Sequence, residues 1–168
     1  MANTMIKLQT VTVGASGASS IEFTSIPQTF TDLQLYISSR TTGTNGTIVW
    51  KFNTDSTASN YFMRYLAGNG SVASSSNSNN PWFSDSPIST DTTSVFGSTN
   101  VYIPNYTGSN SKSLSVETVT ENNATLAYQQ MFAGRWTGTA AITAITLTPF
   151  SGSYAQYTTA TLYGIKSS

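Results

Sequence analysis

The sequence predicts an all-β chain folded as one antiparallel sandwich or barrel, on three observations. Threonine, tyrosine, phenylalanine, valine and isoleucine recur in short runs suited to a pleated, half-buried surface. Clusters of serine, asparagine, glycine and proline separate those runs, and roughly a third of the residues are serine or threonine. No helical stripe interrupts the series, which argues against a parallel α/β sheet.

In chain order, residues 5–13 have strand composition and end in the turn-like Gly14-Ala15-Ser16-Gly17. Residues 21–26 alternate in part and are closed by Pro27, which cannot donate to a central ladder. Residues 32–40 alternate cleanly, with Leu33, Leu35 and Ile37 inward and Gln34, Tyr36 and Ser38 outward. Thr42-Gly43-Thr44-Asn45-Gly46 reads as a hairpin turn, with 48–52 returning as the partner strand.

A polar loop over 53–59 leads to a strand at 61–66. Residues 68–94 carry Ser, Asn, Gly and Pro with few apolar side chains, and read as a long loop with Trp82-Phe83 in its middle. Strands resume at 101–103, 114–119, 127–136, 142–147 and 160–165, the last with Leu162 and Tyr163 on opposite faces. Nine or ten short strands with turns between them give the sandwich or barrel.

The totals set bounds on function. A chain of 168 residues is one domain by default and buries about 70% of its unfolded surface, so no disulfide or metal staple is needed. Lys plus Arg and Asp plus Glu are 7 each, which leaves no footprint for nucleic acid and suits a protein packed among others. The chain has no cysteine and no histidine, which excludes thiolate zinc sites and a Ser-His-Asp triad. No run approaches the ~18 apolar residues of a membrane helix, and the first residues show no secretory signal. The expectation is synthesis in a cytoplasm.

Four segments carry a family resemblance: residues 23–33 (Phe23 to Leu33), Phe52-Asn53-Thr54-Asp55 continuing to Ser59-Asn60-Tyr61, Ile103-Pro104-Asn105-Tyr106, and the stretch from Trp136 through Ala141–Ile145 to Ala160–Lys166. Their order resembles small structural proteins of tailed-bacteriophage virions, of the marine and cyanobacterial phage type. The resemblance implies a jelly-roll-like β-sandwich, residence in the virion and no catalytic residues. It implies other virion proteins, major capsid or tail proteins, as partners, and a homo-oligomer of closed symmetry, a trimer being the state expected of a jelly roll on a virion.

Candidate sites follow from side-chain chemistry. Asp55, with Asn53, Ser59 and Asn60, supplies oxygens for calcium, or else Asn53 and Asp55 make Asx-turns that hold their loop. Asp85 and Asp91, flanking Pro87, pose the same choice. Glu117 and Glu121 lie about 13 Å apart along one strand face, beyond glycosidase spacing. A Ser-Lys pair among Lys112, Ser113 and Ser115 has nothing to mark it out.

Trp82, Phe83, Tyr106, Tyr154 and Tyr157, with Tyr102, form the candidate contact surface for sugar rings or a partner protein, Trp82-Phe83 being either part of it or a lid over the core. Trp50 and Trp136 read as core. Residues 1–17 are the candidate anchoring arm, because a terminal strand can add to a neighbour's open edge. The reading is therefore a non-enzymatic capsid decoration or cement protein without cofactor or metal. The alternative is a tail-fibre or baseplate host-recognition module that binds cell-surface glycan.

Overall fold

Strand alternation determines which side chains meet the core. The computed structural model, which describes residues 4–121 and 127–166, forms two antiparallel sheets. The large sheet contains β1 (Met5–Thr12), β3 (Asp32–Ser39), β5 (Tyr61–Gly68), β6 (Ala73–Ser78), β8 (Gly97–Ile103), β9 (Lys112–Glu121), β10 (Ala127–Trp136) and β12 (Thr159–Ile165). The small sheet contains β2 (Ile21–Phe23), β4 (Thr47–Phe52), β7 (Trp82–Asp85) and β11 (Ile145–Pro149). In space they run β1-β12-β3-β8-β9-β10-β5-β6 and β2-β11-β4-β7.

Setting aside β5, β6, β9 and β10, the other eight strands, counted in chain order, run 1-8-3-6 and 2-7-4-5. That interleaving is a jelly roll. The other four strands are two inserted pairs, β5–β6 and β9–β10, zipped together through β10 and β5. They lengthen one sheet only. β7, the last strand of the small sheet, packs against β9 and β10, so β5 and β6 continue beyond it as an overhang.

Leu33, Leu35 and Ile37 are buried as their alternation requires, and so are Leu162, Trp50 and Trp136. Between the sheets lies an aromatic cluster. Phe52 stacks on Tyr61 at 6.1 Å and meets Trp136 at 5.5 Å, while Phe83 meets Trp50 and Tyr61 at 6.4 and 6.2 Å. Gly134 permits this closeness, since a Cβ there would stand 3.1 Å from the Phe83 ring.

Five expectations are corrected. The 42–46 turn does not make a hairpin, because β3 and β4 belong to different sheets. The segment is a sandwich corner, in which Thr41 and Thr42 donate backbone bonds to Pro87 and Ser153 while Gly46 accepts one from Ser86. The 68–94 segment is not a continuous loop: it holds β6, paired along its length with β5, and β7, paired with β4. The strand at 21–26 stops at Phe23, with Ser25 at φ 53°, and the one at 142–147 starts at Ile145.

Residues 1–17 are not a free arm over the described part, since β1 is already hydrogen-bonded to β12. A register shift between Lys7 and Gln9, together with the Lys7 charge, blunts its outer edge against strand addition. β6, six exposed or half-exposed residues without charge or proline, is the large sheet's unprotected edge.

Candidate functional site

The overhang creates a groove. Its upper wall is the inner face of β5, β6 and β10, and its lower wall is β7 with the start of β4. Two adjoining cavities of about 300 and about 350 Å³ share Thr47, Asp85 and Gln130 as their common wall. The first is lined by Tyr65 and Trp82, with Met63 and Phe132 behind them and Ser76 and Ser78 on β6. The second is lined by Asn45, Asp91, Glu121 and Tyr128, among others.

Alternation sends Tyr61, Met63 and Tyr65 to the same side of β5. Tyr61 and Met63 find the small sheet below them and are buried, whereas Tyr65 lies further along the overhang and stays half-exposed. Its ring rests on Phe132 at 5.5 Å. Trp82 is fixed edge-on against Phe150 at 5.9 Å. Between these aromatics and the second cavity, Gln130 Nε2 donates to Asp85 Oδ2 at 2.7 Å. Gln130 Oε1 is buried and accepts no hydrogen bond from the described residues.

The five aromatic candidates do not form one surface. Phe83, Tyr106 and Tyr154 are core residues, at 0%, 0% and 1% exposure. Tyr106 donates its hydroxyl hydrogen bond to the Pro27 carbonyl. Tyr154 is held by bridges to Ala18 and Thr41. Burial is the physical reason they cannot be contact residues. Tyr157 is 68% exposed with φ 72°, but it lines neither cavity of the groove. Trp82 alone of the five faces the groove. Tyr102 lies on the opposite, outer face of the large sheet, its hydroxyl donating to Asp32 Oδ2 at 2.9 Å.

Asp55 follows the Asx-turn reading, whereas Asn53 does not: its side chain ties the loop to the segment before β11. Asp55 Oδ1 accepts from the Thr57 N–H at 2.9 Å, and Oδ2 accepts from Asn60 Nδ2 at 2.9 Å and Trp136 Nε1 at 2.8 Å. Asn53 Oδ1 accepts from the backbone of Thr143 and Ala144. Burial works against ionisation of Asp55, but the bonds from Trp136, Asn60 and Thr57 outweigh it and hold the carboxyl below its ordinary value. Its stabilisation is therefore complete above the unfolded value and lost as pH falls through the folded one. Asp55→Ala is expected to cost about 1–3 kcal/mol in urea unfolding, because the Trp136 N–H loses its acceptor.

Asp91 Oδ2 accepts from the Ile88 N–H at 2.7 Å, closing a local turn, and Glu121 Oε1 accepts from Thr92 Oγ1 at 2.9 Å. The Ser-Lys pairing fails on alternation. Lys112 is buried, while Ser113 and Ser115 point to the outer face. Lys112 Nζ instead donates to the carbonyls of Gly108 at 2.7 Å and Asn110 at 2.5 Å, and burial lowers its pKa.

Sequence reasoning missed Tyr65, Gln130 and the cavity shared by Asp85, Asp91 and Glu121. The signal for Tyr65 was present, as the third inward aromatic or apolar residue of an alternating strand. Comparison with protein-family models, with curated proteins and with solved structures finds no match.

Proposed function

We propose that this protein is a non-enzymatic structural component of a bacteriophage particle, a decoration or cement protein held on the outside in several copies. The supporting observation is the outer face of the overhang. Phe62, Leu66, Val119 and Met131 stand there between 37% and 62% exposed, with Leu66 and Met131 directly opposite each other on β5 and β10. Leu66 and Met131 line a shallow concavity of about 680 Å³ together with Arg64 and the small residues Ala133 and Ser115. An apolar, concave patch of this kind on a neutral surface marks a contact with another protein.

The unprotected β6 edge runs along the same patch, so strand addition there and burial of Leu66 serve one interface. This moves the expected attachment from residues 1–17 to β6. The particle itself is supported by the sequence resemblance, and the jelly roll is an architecture that capsid proteins share with lectins.

Imaging of purified particles is expected to place this density on the shell. In sedimentation the free protein is expected to form a closed homo-oligomer, the trimer favoured above. Leu66→Lys with Met131→Lys is expected to give a folded monomer that no longer binds particles. A wild-type monomer with no copies on the particle overturns the proposal. Trp82 at the groove favours a second reading, a tail-fibre or baseplate recognition module, for which density at the tail tip decides.

A further inference from the structure

We propose that the groove beneath the overhang is a binding site for a neutral oligosaccharide, with Trp82 and Tyr65 as stacking platforms and the Gln130–Asp85 pair as the hydroxyl-reading group. The site is independent of the outer-face contact proposed above, and lies on the other side of the same sheet extension.

Three features of the groove select the ligand. First, β5 and β6 run past β7, the last strand of the small sheet, so the far end of the large sheet adds a wall with no small-sheet strand beneath it. Tyr65 and Trp82 stay half-exposed against that wall although both pack on buried neighbours. An aromatic ring held rigid from behind and open in front suits the apolar C–H face of a pyranose.

Second, the buried Gln130 Oε1 has no donor among the described residues. Buried amide oxygens are nearly always paired, so this acceptor points to a donor supplied by a ligand. Its amide nitrogen is already fixed by Asp85, so the side chain is oriented before binding. Sugar hydroxyls meet the Asp85 carboxylate and the Ser78 and Thr47 side chains that line the same cavity, and one donates to Oε1 once the ligand's entry opens the covering of that buried atom.

Third, charge and size set the class. Asp85, Asp91 and Glu121 line the two cavities while no lysine or arginine does so among the described residues, which disfavours sialylated, phosphorylated or nucleic-acid ligands. Each cavity is at the lower end of small-molecule sites, and their shared wall makes a run of adjoining subsites. An oligosaccharide fits this better than a single sugar.

The test is a printed array of neutral and anionic glycans, followed by calorimetric titration of maltotriose, cellotriose and chitotriose into the full chain. At least one neutral glycan is expected to bind with a millimolar or tighter Kd and to perturb tryptophan fluorescence. Trp82→Ala and Gln130→Leu are each expected to weaken it roughly tenfold or more with the far-UV spectrum unchanged. If Trp82→Ala does not fold, Gln130→Leu and the fluorescence of the wild-type protein still decide. Absence of binding by the folded wild type, preference for anionic glycans, or full binding in both variants overturns the site. Loss of binding in Leu66→Lys alone would put the sugar on the outer face and also overturn it. None of these outcomes bears on whether copies coat the particle.

Discussion

Trp136→Ala is expected to remove about 3–5 kcal/mol of stability, a large share of what a domain of this size possesses. The ring is 3% exposed and packs against Phe52 at 5.5 Å. Gly138 lies so close to it that a Cβ there would meet the ring at 2.1 Å. The Lys112 ammonium stands 5.9 Å from the ring centroid, and the indole N–H is bound by Asp55. Alanine therefore opens a cavity, strips one acceptor of its donor and uncovers a buried cation together.

Trp136→Phe separates these contributions, since it keeps most of the packing and loses the bond to Asp55. It is expected to fall about 1–3 kcal/mol below wild type. Urea unfolding followed by far-UV circular dichroism measures both. A cost under about 1 kcal/mol for the alanine variant would show that the ring is not the centrepiece of the inter-sheet cluster.

Alkaline pH is expected to unfold the protein steeply. Burial pushes the Tyr61 phenol up to about 12, with the Phe52 N–H opposing and the Asp55 charge adding to the effect. Burial also raises Tyr154 and Tyr106. Above the ordinary tyrosine value of 10.0 the unfolded chain releases phenolic protons that the native state retains. The unfolded state then binds fewer protons, and stability falls as pH rises.

The slope approaches about 1.4 kcal/mol per pH unit for each such tyrosine. Lys112 acts in the opposite sense. Its folded value is lowered by burial, so its desolvation penalty eases as pH climbs towards the ordinary lysine value of 10.5. The decline is therefore expected to be shallow up to that point and to steepen beyond it. Urea midpoints measured from about pH 8 upward check this, with Tyr154→Phe flattening the curve. A midpoint unchanged through about pH 11 would show that these phenols are solvated.

What the sequence disclosed, and what it hid, divides along the range of the interactions. The inward set Leu33, Leu35 and Ile37 and the core places of Trp50 and Trp136 follow from local period and composition, and the structure keeps them. β6 was hidden because Ala-Ser-Ser-Ser-Asn-Ser has no apolar alternation, and only hydrogen bonding to β5 makes it a strand.

The Asn45-Gly46 turn signal is local, but which sheet a strand joins depends on partners far away in sequence, β11 and β7 for β4 and β12 and β8 for β3. Phe83, Tyr106 and Tyr154 stand among polar residues in the sequence, so local composition does not mark them as core. Turns such as the one at Asn105, with φ 47°, send them inward instead. The groove itself belongs to no segment. Tyr65 and Gln130 read as ordinary inward residues, and they become a site because one sheet outgrows the other.

The position of β12 has a consequence for biosynthesis. This strand fills the gap between β1 and β3, yet the ribosome makes it after the other eleven strands described. A nascent chain emerging in order would carry β1 with no neighbour to zip to, exposing Val11 and Leu8 until β12 has been made. Vectorial, piece-by-piece maturation is thus blocked at this seam, and the large sheet becomes continuous in a single late closure.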